Sequence, residues 1–119
     1  MEGTATHQRV GFEVCGIRVV VTRTSHEMAG GFAYSAQLVR DRDVAHGRLV
    51  RHGNACCLEV VAAPAWLHEL CSSCSPGRCT SVTDGDTLWL EVPPLVRAEL
   101  LLPWLERHLH ERRLAARTA

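Results

Sequence analysis

The sequence predicts an α+β fold: a small, mostly antiparallel sheet of four to six strands with a C-terminal helix packed on one face. Three observations predict it. Segments with period-two apolar alternation fill the first half of the chain. Short breaks containing Gly, Asp or Asn separate them, at lengths that suit hairpins. The longest helical periodicity comes last, and strands grouped ahead of helices favour α+β over α/β.

Val10–Val14 and Ile17–Thr22 form the first expected strand pair. Val10, Phe12 and Val14 alternate with Gly11 and Glu13, and Ile17, Val19 and Val21 with Arg18 and Val20, so each strand has one apolar face. Cys15-Gly16 between them is the expected tight turn. Residues 24–31 are polar and end in Gly30-Gly31, whose backbone freedom suits a bend, so this stretch is expected to be a connection. Phe32, Tyr34, Ala36 and Leu38 share one face of the next strand, with Ala33, Ser35 and Gln37 on the other. Arg40-Asp41-Arg42-Asp43 is a charged turn leading to a return strand, Val44–Arg51. His52-Gly53-Asn54 is a turn by composition. Ala55–Ala62 is expected to be a buried strand and Leu88–Val92 a short final one.

Pro64 suits the start of a helix over Ala65–Cys71. From Leu95 to about Ala116, the apolar residues Ala98, Leu101, Leu102, Leu105 and Leu109 recur at helical spacing, with Glu99, Glu106, Arg107, His110 and Glu111 elsewhere. Pro103 lacks a backbone N–H and disfavours the α conformation at Leu102. A kink or break is therefore expected there, with a second helix starting at Pro103.

The 119 residues fit a single domain spanning 1–119, with 1–8 and 115–119 expected to fray. Apolar residues at 46% supply enough surface to build a core without cross-links. Aromatic residues are only 5%, so that core rests on Val, Leu and Ala, together with Trp66, Trp89 and Trp104. Thirteen basic residues balance 13 acidic ones, and every basic residue is Arg, as codon usage in a GC-rich bacterial genome would produce. Arg forks suit carboxylates and phosphates. A neutral chain without a basic block nevertheless lacks the footprint of a nucleic-acid binder, so no nucleic-acid partner is expected. The apolar run Leu100–Leu105 falls far short of the about 18 residues that span a bilayer, and no other stretch approaches that length, so no membrane role is expected. The first residues carry no positive segment followed by an apolar run, which predicts no secretory leader. Six cysteines in such a chain are expected to be cytoplasmic thiols or metal ligands rather than a disulfide framework.

One segment could carry chemistry: residues 68–79. Cys71 and Cys74 form a C-x-x-C pair, Cys79 follows a Ser-Pro-Gly-Arg turn, and His68 stands one helical turn before Cys71. Two intervening residues let both thiolates converge on one cation, and His68, Cys71, Cys74 and Cys79 together would make a Cys₃His zinc set. The pattern lacks the second knuckle usual in structural zinc motifs. The same cysteines also serve as small buried hydrophobes in many cores. A redox role is disfavoured, because the pair follows a helix rather than starting one, and a helix C-terminus raises a thiol pKa. Cys56 and Cys57, adjacent on a strand, point to opposite faces and cannot easily share a metal. Cys15 could approach a site only through the tertiary fold.

Other constellations are weaker. His26-Glu27 and His68-Glu69 match no zinc-deaminase or H-E-x-x-H pattern. Asp84-Gly85-Asp86 is a turn rather than a calcium loop, because the carboxylates an EF-hand requires do not follow. His108 and His110 point to different sides of the last helix. Three functions remain, in order. The first is a small cytoplasmic non-enzymatic binding or accessory module, contacting a protein partner or forming a homodimer through the C-terminal helix. The second is a zinc protein using residues 68–79, the cofactor otherwise being none. The third is a small enzyme on a metabolite pocket, with His26, Tyr34, His46 and His52 the first groups to inspect.

Overall fold

Strand β1, Arg9–Val14, turns back through Cys15-Gly16 into β2, Ile17–Met28, with Val14 opposite Ile17 and Arg9 opposite Thr22. The fold is that of a computed structural model, which describes residues 8–28, 31–52, 55–74 and 80–107. The two turn residues have φ of 52° and 78°. Two successive positive φ values define the I′ loop, whose twist matches that of the strands it joins. β3, Gly31–Arg40, and β4, Asp43–His52, form the second hairpin around Asp41-Arg42. Asp41 takes φ 54° there, a left-handed conformation that Asp tolerates. β5, Ala55–Val60, pairs with β4 and leads into helix α1, Ala65–Ser73.

The chain then crosses the sheet. β6, Ser81–Asp84, and β7, Thr87–Glu91, form a third hairpin, and β7 rather than β6 lies beside β5. The result is one seven-stranded antiparallel sheet of order β1-β2-β3-β4-β5-β7-β6. The Ala63 N–H donates to the Asp86 carbonyl at 3.0 Å, tying the entry to α1 to the tip of the third hairpin. Gly85, first of the two loop residues, has φ 65°, so Asp84-Gly85-Asp86 is this hairpin turn. The last element, α2, starts with an α-helical turn at Pro94–Val96, widens into a π-helical turn over Arg97–Leu101, and continues as α-helix over 102–107.

The widened turn accommodates the proline. Proline at position 103 offers no N–H, and its ring would press on the carbonyl of Glu99 in a regular α-helix. The Leu102 N–H instead donates to the Arg97 carbonyl, five residues back, which is the π-helical bond. The helix thus bends through the proline without stopping at it, and no separate helix starts at Pro103.

Alternation along the strands other than β6 sends apolar residues to one face. Val14, Ile17, Val19, Val21, Ala36, Leu38, Leu49, Cys56, Leu58, Val60, Leu88 and Leu90 are buried there. Leu67 and Cys71 of α1 and Leu101, Trp104 and Leu105 of α2 complete the same core. Trp104 meets Tyr34 of β3 edge to face, with ring centroids 5.6 Å apart. Each fully buried Leu, Ile or Val contributes about 1.5–3 kcal/mol relative to an exposed one. This set therefore holds both helices to one side of the sheet.

Two expectations need correction. Residues 24–28 do not belong to a connection: they extend β2, with a register shift between Arg23 and Glu27 where the strand departs from its regular pairing with β3. The sheet also gains β6, whose Ser-Val-Thr-Asp sequence carries too little apolar character to alternate visibly and which becomes a strand by pairing with Trp89 and its neighbours. The expected turns at residues 30 and 53–54, the fraying ends at 1–7 and 115–119, and His108 and His110 lie outside the described residues.

Candidate functional site

The zinc set proposed from spacing divides as follows. His68 and Cys71 lie one turn apart on α1, His68 half-buried and Cys71 turned into the core beside Leu67. Cys74 caps the helix in an extended conformation, its N–H donating to the Cys71 carbonyl at 3.4 Å. The Ser73 hydroxyl donates to the Leu70 carbonyl at 3.1 Å, satisfying another carbonyl of the last turn. Cys79 lies outside the described residues. Among the described residues, no three His, Cys, Asp or Glu side chains gather as a metal site of three or more ligands requires.

The tertiary fold does bring one distant cysteine to this end of α1. A cavity of about 490 Å³ opens between the β1–β2 turn, the C-terminal end of α1 and the connection into α2, and Glu13, Cys15, Leu70, Ser73, Cys74 and Pro93 line it. Cys15 and Cys74 are both half-buried. No disulfide joins Cys15, Cys56, Cys57, Cys71 and Cys74 to one another. Spacing could not reveal this shared cavity, since it depends on where the crossover from β5 deposits α1.

The neighbouring pair on β5 behaves as adjacent strand residues must. Cys56 faces the core, and burial pushes its thiol above the ordinary value, with Arg51 and Arg97 pulling weakly the other way. Cys57 faces away from the helices. Its thiol is also raised, by burial first and then by the Glu91 carboxylate directly opposite on β7. Tyr34 and His46 cannot share a pocket. Tyr34 lies under α2 against Trp104, whereas His46, opposite Gln37, is exposed on the other face. The side chains of His26 and His52 lie outside the described set.

That other face is the second candidate site. Among the described residues neither helix contributes to it, and cross-strand register places Arg9, Thr22, Ser35, Arg48, Glu59, Trp89 and Val82 in one row across the strands. Arg48 and Glu59 form an ion pair in the middle of the row. Trp89 is half-buried between Glu59 and Val82, and Val82 is 59% exposed. A second apolar group lies toward the other end, where half-buried Val39 stands opposite Val44, which is 46% exposed, and Val20 is half-buried nearby. Scattered single apolar residues are normal on a surface. A half-buried Trp on a sheet face, here one strand in from the β6 edge, is the type of residue that anchors protein interfaces. No helix among the described residues is long and apolar enough to cross a membrane. The chain matches no protein-family model, no curated protein and no solved structure.

Proposed function

We propose that this chain is a non-enzymatic binding module that contacts a protein partner through the helix-free face of its sheet. The observation that carries the reading is Trp89, half-buried beside exposed Val82 on a face that neither helix covers. Trp is enriched among residues that dominate binding energy, because it desolvates a large area in one rigid piece. The face also has the right size. Seven strands about 4.8 Å apart and roughly 20 Å long span on the order of 700 Å², near the roughly 800 Å² that a standard interface buries on each partner.

Charge favours a second copy of the chain as the occupant. The face presents Arg9, Arg18 and Arg48 against Glu13, Glu59, Glu91 and Asp84, a net charge of only about one. Mixed signs that nearly cancel suit neither a polyanion nor a polycation. They do suit a face that meets its own image about a two-fold axis, as isologous dimers require. Two such faces would stack as the layers of a sandwich do, about 10 Å apart. Size-exclusion chromatography with light scattering on the full chain tests the reading. A dimer that Trp89→Ala and Val82→Arg each convert to monomer, with circular dichroism unchanged, is the expected result. A wild-type chain that stays monomeric across the concentration range, or a dimer indifferent to both substitutions, overturns it.

A further inference from the structure

We infer that the cavity between the β1–β2 turn and the end of α1 is a two-thiol site for a soft monovalent metal ion, copper(I), held by Cys15 and Cys74. Both side chains line the same cavity and both are half-buried, so an ion from solvent can reach them. The other described cysteines are placed differently: Cys56 and Cys71 are buried in the core, and Cys57 is on the opposite face of the sheet. Cys15 also occupies its place against local preference. It takes φ 52° at the first position of an I′ loop, where Asn, Asp or Gly is favoured and where most residues cost about 1–2 kcal/mol. A backbone outlier of this kind points from the observed strain toward a use for the side chain.

The donor set selects the ion. Soft thiolates prefer soft cations, and hard calcium or magnesium demands several oxygens. The cavity supplies only Glu13 as a carboxylate, and zinc closes its shell with more ligands than two sulfurs and one oxygen provide. Two thiolates alone satisfy copper(I). Each thiol gives its proton to solvent as its sulfur binds, so two protons leave for each ion and no electron is transferred.

The test uses the full chain, reduced and under anaerobic conditions, titrated into copper(I)–bicinchoninate while the absorbance of the coloured complex is followed. Wild-type protein is expected to withdraw one equivalent. Cys15→Asn and Cys74→Ser are each expected to weaken the affinity by more than about 100-fold, the upper end of what losing a mere supporting partner costs. Cys57→Ser is expected to bind as wild type does. Asn is favoured in the left-handed turn position, so Cys15→Asn keeps the fold, which a thermal melt verifies independently. Failure of the wild type to withdraw copper(I) overturns the proposal. So does a Cys15→Asn protein that binds as tightly as wild type, and so does loss of binding in Cys79→Ser with Cys15→Asn unaffected, which would place the metal on the 68–79 segment.

Discussion

Gly47 of β4 shows how one atom governs the meeting of two strands. A Cβ built there would run into the Glu59 carbonyl oxygen and come within 3.0 Å of Val60 Cγ2, so the backbone of β5 would have to move. Backbone held in a ladder gives way at higher cost than a flexible side chain does, and overpacking of this sort costs roughly 1–3 kcal/mol. Gly47→Ala is therefore expected to lower the unfolding free energy, measured by urea denaturation, by that amount. Gly11→Ala, whose added carbon would lie 3.7 Å from the Val19 carbonyl oxygen, is expected to change stability by less than about 0.5 kcal/mol. Equal effects of the two substitutions would show that the β4–β5 approach is not tight. Residue-level rules were legible in the chain wherever they are purely local. Cys56 and Cys57 point to opposite faces because strand geometry demands it, whatever else the fold does. The closeness of Gly47 to β5 was not legible, because it depends on how two strands settle against each other.

At the scale of elements, α2 sets a proline against a buried face. Its π-helical turn rotates everything after Arg97 relative to a regular helix, by about 100° for one extra residue. That rotation places Leu101, Trp104 and Leu105 together on the sheet, while Leu95, at 73% exposure, is left outside. Either the proline or the packing could hold the turn open, and the energies favour packing. Losing a buried Trp costs about 3–5 kcal/mol, and an exposed proline already accommodated in a wide turn has little left to contribute. Trp104→Ala is therefore expected to destabilise by about 3–5 kcal/mol. Pro103→Ala is expected to change stability by less than about 1 kcal/mol, with Trp104 still shielded from acrylamide quenching. Exposure of Trp104 in Pro103→Ala would show instead that the proline steers the helix. A disturbance near Pro103 was legible from the missing donor alone. The choice of a π turn over a break was not, because it is settled by what Trp104 touches. The same division separates the strands: Ile17, Val19 and Val21 announce β2, whereas β6 has only Val82 and exists by virtue of its partner β7.

At the scale of the whole molecule, one core joins every layer. Its buried members come from β1, β2, β3, β4, β5 and β7 and from both helices. The hairpin order β1 to β5 was legible, since each step is a short turn between alternating segments. The exchange of β6 and β7, the one-sided placement of α1 and α2, and the cavity that Cys15 and Cys74 both line are consequences of the crossover after β5, which leaves no local mark in the sequence. A single core of this kind has a thermodynamic signature. The sheet cannot lose its helices without exposing Leu58 of β5, Leu90 of β7 and their neighbours, so partial unfolding is costly and the chain should open as one unit. The three tryptophans sit on different parts of it, Trp66 on α1, Trp89 on the helix-free face of β7 and Trp104 on α2. In urea, tryptophan fluorescence and far-ultraviolet circular dichroism are therefore expected to report one midpoint, with variants retaining only Trp66 or only Trp104 agreeing with each other once their own stability losses are measured by both probes. A fluorescence transition of the Trp104-only variant that precedes its circular dichroism transition would show that α2 detaches while the sheet persists, and that the core is two units rather than one.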